Sequence, residues 1–202
     1  MKFTTTHPIV LASASPRRKE LLEMLGLPFS IIPSTKEEPD PEGFQTAMGY
    51  VLECASQKAK EVARQQPETI VIGSDTVVVL DGEILLKPQS KTQAKEYLRK
   101  LSSQSHDVIT AVTILKGNSE QSFHELTHVT FYDLPEAWID AYVNTDDPYD
   151  KAGAYGIQTM SALFVKEIQG DYNTVVGLPI ASLTQKLMLS GFIALEGSHV
   201  EC

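Results

Sequence analysis

The stretch Leu11-Ala12-Ser13-Ala14-Ser15-Pro16-Arg17-Arg18-Lys19-Glu20-Leu21-Leu22 constrains this chain more than any other. Ile9-Val10-Leu11-Ala12 reads as a short buried strand, Ser13 and Ser15 offer hydroxyls suited to capping a helix, and Pro16 suits a first helical position. A helix therefore starts here, with Leu21, Leu22, Met24 and Leu25 as its apolar side and Gly26 as its C′ residue. Yet its first turn carries Arg17, Arg18 and Lys19. A helix N-terminus is already partly positive, so each exposed cation there is disfavoured by about 0.3–1 kcal/mol. A polyphosphate would offset this. It would accept hydrogen bonds from free backbone N–H groups, from the Ser13 and Ser15 hydroxyls and from the guanidinium forks of Arg17 and Arg18. The same cations could instead extend into water.

The rest of the composition sets limits. With 202 residues, 42% of them hydrophobic, the chain can bury a sizeable core as one domain or as two closely packed lobes. A net charge of −9 argues against nonspecific nucleic-acid binding, which needs a basic face, but leaves room for a small anion held by locally concentrated cations or a divalent metal. Cys54 falls in a helix and Cys202 is the last residue, so neither suggests a disulfide framework or a zinc cluster. The start lacks the apolar run of a signal peptide, and no later run reaches bilayer-spanning length. The expectation is a cytoplasmic protein with no membrane partner.

Further along, Phe29–Ile32 reads as a strand and residues 33–42 as a mobile, Pro- and Glu-rich loop carrying Glu38. Residues 44–66 form an amphipathic helix with Met48, Val51, Leu52, Ala55, Ala59, Val62 and Ala63 on its buried stripe; Lys58 lies beside it. Two apolar runs, Ile70–Ile72 and Val77–Leu80, then flank a break at Gly73-Ser74-Asp75-Thr76. Asp75 there is either a turn-capping residue or a buried general base or metal ligand, since a carboxylate between buried strands needs a partner. Asp81-Gly82 predicts a type I′ hairpin whose return strand delivers Lys87. Ser90 caps a helix ending near Leu101, and Gly117-Asn118 turns a long hairpin. His124 and His128 share a strand face, at a spacing too long for both to reach one ion easily. Asp133 and Glu136 cap a helix that buries Trp138, Ile139 and Tyr142. After the block from Asp150 to Gln158 comes a strand over 163–168, and a final helix runs through Leu189.

These motifs, in order, resemble the Maf family of nucleoside triphosphate pyrophosphatases. The resemblance rests on Ala12-Ser13-x-Ser15-Pro16-Arg17-Arg18, Gln57-Lys58-Ala59, Gly73-Ser74-Asp75-Thr76 with Lys87-Pro88, Asp150 to Gln158, and Gly170 to Pro179. It implies an elongated α/β fold, a central mixed sheet flanked by helices, with residues 1–202 as a single domain of two lobes around an active-site cleft. It implies hydrolysis of a nucleoside triphosphate between the α- and β-phosphates with a divalent cation, Mg²⁺ or Mn²⁺. Asp75 would be the proton acceptor and Glu38 a metal ligand. Ser13, Ser15, Arg18, Lys58 and Lys87 would hold phosphate. Arg17, Thr76 and Gln158 match the subgroup acting on dTTP and UTP, in contrast to the one acting on 7-methyl-GTP. The family is also associated with control of septum formation, a role a nucleotide binder could fill with little turnover; the set Asp75, Glu38, Lys58 and Lys87 favours an enzyme. Homodimeric assembly is left open.

Overall fold

The computed structural model describes residues 1–197; Cys202 lies outside the described residues. In chain order the elements are β1 (Phe3–Thr4), β2 (Ile9–Leu11), α1 (Pro16–Glu23), β3 (Phe29–Ile31), α2 (Ala47–Ala63), β4 (Ile70–Leu80), β5 (Glu83–Leu85) and α3 (Lys91–Leu101). There follow β6 (Ser105–Lys116), β7 (Ser119–Phe131), α4 (Glu136–Tyr142), β8 (Val165–Gln169), α5 (Tyr172–Val176), α6 (Ile180–Leu189) and β9 (Ala194–Leu195).

Six strands run in the order β3-β2-β4-β6-β7-β8, with β5 also paired to β4. The β2–β3 and β2–β4 pairs are parallel and the others antiparallel, giving a mixed sheet. The parallel part follows from the helical crossovers α1 and α2, and the antiparallel part from the hairpin at Gly117, whose φ of 55° suits glycine. Two of the packed regions sit along this sheet. One joins β2, α1 and α6 through Leu11, Leu22, Ile72 and Leu183; the other joins α3 and α4 to Phe131 and Tyr155. In the second region Tyr155 is fixed by its hydroxyl 2.7 Å from Nε2 of His106, whose pKa burial pushes down to about 4. Among the described residues no helix is long and apolar enough to cross a membrane.

Several expectations change. There is no break at residues 73–76: β4 is one strand of eleven residues, because β6 pairs with it from Val71 through Val79. Gly73 is required there for another reason. A Cβ would lie 2.5 Å from the Ala55 carbonyl oxygen and 2.8 Å from the Ala59 nitrogen, so α2 rests directly on the strand backbone. Ser15 does occupy the N-cap of α1, but its hydroxyl makes no capping bond. Met24, Met48 and Trp138 are exposed, since α1, α2 and α4 each bury a narrower stripe than their apolar residues span. Residues 160–164 form a 3-10 turn, so the strand expected over 163–168 starts only at Val165. Pro135 sits at the N-cap of α4; Asp133 accepts from the Ser102 hydroxyl, and Glu136 pairs with Arg99. The Asp81-Gly82 turn matches its expectation, with φ of 50° and 83°.

Gly73→Ala should therefore cost about 1–3 kcal/mol or more through overpacking against helix backbone. Thermal unfolding should show it as a fall of roughly 2–4 °C per kcal/mol. Gly43→Ala, where a Cβ meets nothing within 4 Å, should leave Tm unchanged and serves as the control.

Candidate active site

The site exists because one edge of β4 is left open partway along. β2 pairs with β4 only as far as Leu11 opposite Ile72, with the Ala12 N–H reaching the Ile72 carbonyl at 2.8 Å. On that same edge β5 begins only at Leu85 opposite Val78. Among the described residues no strand covers residues 73–77 on this side. Side chains alternate along a strand, so Asp75 and Thr76 flank the opening from the two faces of the sheet. The turn after β2, carrying Ser13 to Arg18, enters here, and the result is a cleft of about 400 Å³. Ligand sites commonly fall in that size range. Ser13, Ser15, Arg17, Arg18, Glu38, Lys58, Asp75, Thr76, Lys87 and Gln158 all line it, although the chain separates them widely.

Lys58 sits at the centre. Its position on α2, one turn from the Ala55–Gly73 contact, holds its ammonium 2.5 Å from Asp75 Oδ1 and 2.7 Å from Glu38 Oε1. Burial disfavours the lysine charge, but Asp75 and Glu38 outweigh it and keep the pKa above the ordinary lysine value. Burial raises the pKa of Glu38 less than the charge and hydrogen bond of Lys58 lower it, so it falls below the usual carboxylate range. Asp75 behaves oppositely. Its burial outweighs the pull of Lys58 and Arg18 and pushes the carboxyl above the usual range. The loop bearing Glu38 is held by Glu61, whose carboxylate accepts from the Thr35 and Lys36 amides, both at 3.1 Å.

Arg18 is half-buried, with no carboxylate in contact. Its Nε donates to the Gly177 carbonyl at 2.8 Å, and its two terminal nitrogens donate to Ser13 Oγ at 3.2 Å and Thr76 Oγ1 at 3.1 Å. A guanidinium has five N–H bonds, so two remain beyond these contacts. Burial lowers its pKa and nearby Asp75 partly restores it. Thr76 belongs to a directed chain. Thr110 donates to the Thr174 carbonyl at 2.7 Å, so the 2.9 Å contact between the two threonines is a donation from Thr76, which in turn accepts from Arg18. The Arg17 and Arg18 amides at the start of α1 have no hydrogen-bond partner among the described residues.

At the other wall, Arg17 donates to Asp150 Oδ2 at 2.9 Å, while Gln158 is exposed on the rim and Lys87 is exposed at the mouth. Lys151 also lines the cleft and pairs with Asp147 and Asp150. Its Asp147–Lys151 spacing is readable in the sequence; its burial is not.

Together these groups can bind an anion, neutralise it and take a proton. Glu38 and Asp75 are the groups available to a divalent cation. Both reach one point, the Lys58 ammonium, and no set of three acidic, His or Cys side chains converges among the described residues. That donor set fits Mg²⁺, which commonly uses one or two carboxylates together with waters and substrate phosphate.

Known proteins resemble this chain along most of its length. The family model described as Maf-like protein matches residues 8–189. The chain is 47% identical over 189 residues to the dTTP/UTP pyrophosphatase of Exiguobacterium sibiricum, covering 93% of this chain and 94% of that one. It is 49% identical over 179 residues to the dTTP/UTP pyrophosphatase of Bacillus anthracis, covering 89% and 93%. Among solved structures, the Ham1 protein of Staphylococcus aureus has the same fold, with a TM-score of 0.52 at 16% identity over 91% of this chain and 99% of that chain. With its motifs in order, gathered around one cleft and carried on this fold, the chain belongs to the Maf family.

Proposed function

We propose that this protein hydrolyses dTTP and UTP between the α- and β-phosphates, releasing the nucleoside monophosphate and pyrophosphate and clearing such nucleotides from the cell. The observation that carries the reading is a buried carboxyl of raised pKa, Asp75, set beside the incompletely bonded guanidinium of Arg18 in one cleft. Relatives named dTTP/UTP pyrophosphatase, nearly half identical along most of the chain, support the substrate class. We read residues 1–202 as one domain whose lobes share the sheet on either side of the cleft.

In this mechanism Arg18, Lys87, the Ser13 and Ser15 hydroxyls and the free amides of α1 hold the polyphosphate. Lys58 turns from the carboxylates to the phosphate charge as substrate arrives. Asp75 accepts the proton of the attacking water as its oxygen bonds to one phosphorus of the α–β bridge and the bridging oxygen leaves with the other product, so that monophosphate and pyrophosphate separate. A divalent cation held by Glu38 and Asp75 would shield phosphate charge. Arg17, its charge matched by Asp150, joins Thr76 and Gln158 in selecting the base. Gln158 can both donate and accept along a pyrimidine edge.

Asp75→Asn should lower kcat by roughly 10²–10⁴-fold, the usual worth of a positioned base, while titration with nucleotide still shows binding. Full activity would remove Asp75 from this role.

Asp75 works deprotonated and burial raises its pKa, so the acid limb of kcat/KM should lie above the range of an ordinary aspartate. Lys58 opposes that shift; in Lys58→Met the limb of the residual activity should move to higher pH. A limb that moves to lower pH would contradict the pairing.

Arg18→Ala should weaken pyrimidine and purine triphosphates alike. Gln158→Ala should instead shrink the kcat/KM gap between UTP or dTTP and purine triphosphates by roughly tenfold, the equivalent of about 1.4 kcal/mol from an unpaired polar group. Steady-state kinetics on both substrate classes separates the two roles.

A further inference from the structure

Lys151 lines the cleft, yet it has no capacity left for phosphate. Its side chain is 7% exposed, and its ammonium donates to the Asp147 carbonyl oxygen at 2.6 Å, to Asp147 Oδ1 at 2.9 Å and to Asp150 Oδ1 at 2.6 Å. An ammonium has three N–H bonds, and all three are engaged inside the protein.

What the two carboxylates do with their remaining oxygens is the informative part. Asp150 Oδ2 accepts from Arg17 at 2.9 Å. Asp147 Oδ2 accepts from the Thr159 hydroxyl at 2.6 Å and from the Tyr142 hydroxyl at 2.7 Å. Thr159 directly follows Gln158. The Lys151 stem also fills the space beside Gly156, where a Cβ would lie 2.6 Å from both Cδ and Cε; an ammonium tied at three points leaves that stem little freedom to move aside. One buried charge thus anchors two arms that come from distant parts of the chain, one ending at Arg17 and the other at Thr159, the neighbour of Gln158.

We infer that Lys151 is a positioning residue for base selection, holding Arg17 through Asp150 and the Gln158 turn through Asp147 and Gly156. This rests on the pyrimidine-triphosphate reading. Asp150 and Asp147 set where the two recognition groups stand, and Lys151 sets the distance between them by binding both. Fixed donors reject a wrong base because their partners are then missing, so loosening them lowers discrimination more than turnover.

The test measures kcat and KM for UTP and ATP in the wild type, in Lys151→Met, which keeps the stem and removes the charge, and in Asp150→Asn, which weakens the Arg17 arm alone. Asp150 is largely exposed, so that variant decides the matter if Lys151→Met does not fold. The expected result is a UTP-to-ATP ratio of kcat/KM at least tenfold lower in Lys151→Met, and lowered less in Asp150→Asn. In both, KM for UTP rises while kcat stays within a few fold. If both variants keep the wild-type ratio and lose activity on the two substrates equally, the role is structural and the inference fails. If the wild type itself does not prefer UTP, the functional reading fails and the inference falls with it.

Discussion

The arrangement depends on a contact that leaves no room for a side chain at residue 73. At Gly73 the backbone of α2 lies directly on β4, too close for even a methyl group. Every hydrogen-bond distance between Lys58 and Asp75 descends from that approach, since the two residues belong to different elements and meet only because those elements touch. Ala55 and Ala59 are both fully buried, so neither position has room for a larger side chain. A larger residue at any of the three would lift the helix and carry the ammonium away from the carboxyl.

The cleft then handles its cations in three ways. Lys58 is charge-matched by Glu38 and Asp75, a balance that a ligand could redistribute. Arg18 is solvated by the Gly177 carbonyl and two hydroxyls without a carboxylate in contact, so much of its field remains directed at whatever occupies the cleft. Lys151 is fully committed to its own loop. Three positive side chains on one surface thus have different chemical capacities, and counting them as a basic patch would hide this. The net charge of −9 makes that local differentiation necessary, because an anionic ligand meets overall repulsion until it reaches the cleft.

Much of this was legible in the residues. Pro16 after Ser15 places the start of α1, Asp81-Gly82 and Gly117-Asn118 place two hairpins, and the cations in a helix first turn point to an anion. Every site residue taken from the motif resemblance lines the one cleft. The misreadings share a cause, which is that local pattern carries no information on what packs above it. Gly73-Ser74-Asp75-Thr76 looks like an interruption because small and acidic residues disfavour strands, yet β6 supplies ladder bonds along the whole segment. Trp138 looks buried by its size, but it lies at the edge of the stripe α4 buries and is 49% exposed. Lys151 and Asp150 stand in plain view as an ordinary adjacent pair, and only the folding of residues 142–161 over the cleft reveals how many partners they hold.

The uncovered stretch of β4 has a consequence for solubility. A strand edge with free amide and carbonyl groups is a template on which another extended chain can pair, and natural sheets hide such edges or load them with charge. Here the open segment is short, recessed between the turn after β2 and the start of β5, and bordered by Arg18, Lys58 and Asp75. An incoming peptide strand would have to desolvate those charges to reach the backbone. The groups that make the cleft receptive to a small, highly charged molecule are the same ones that make it a poor nucleus for edge-to-edge aggregation. One edge of β4 can therefore stay open over a few residues at the heart of this sheet while β6 pairs its other edge.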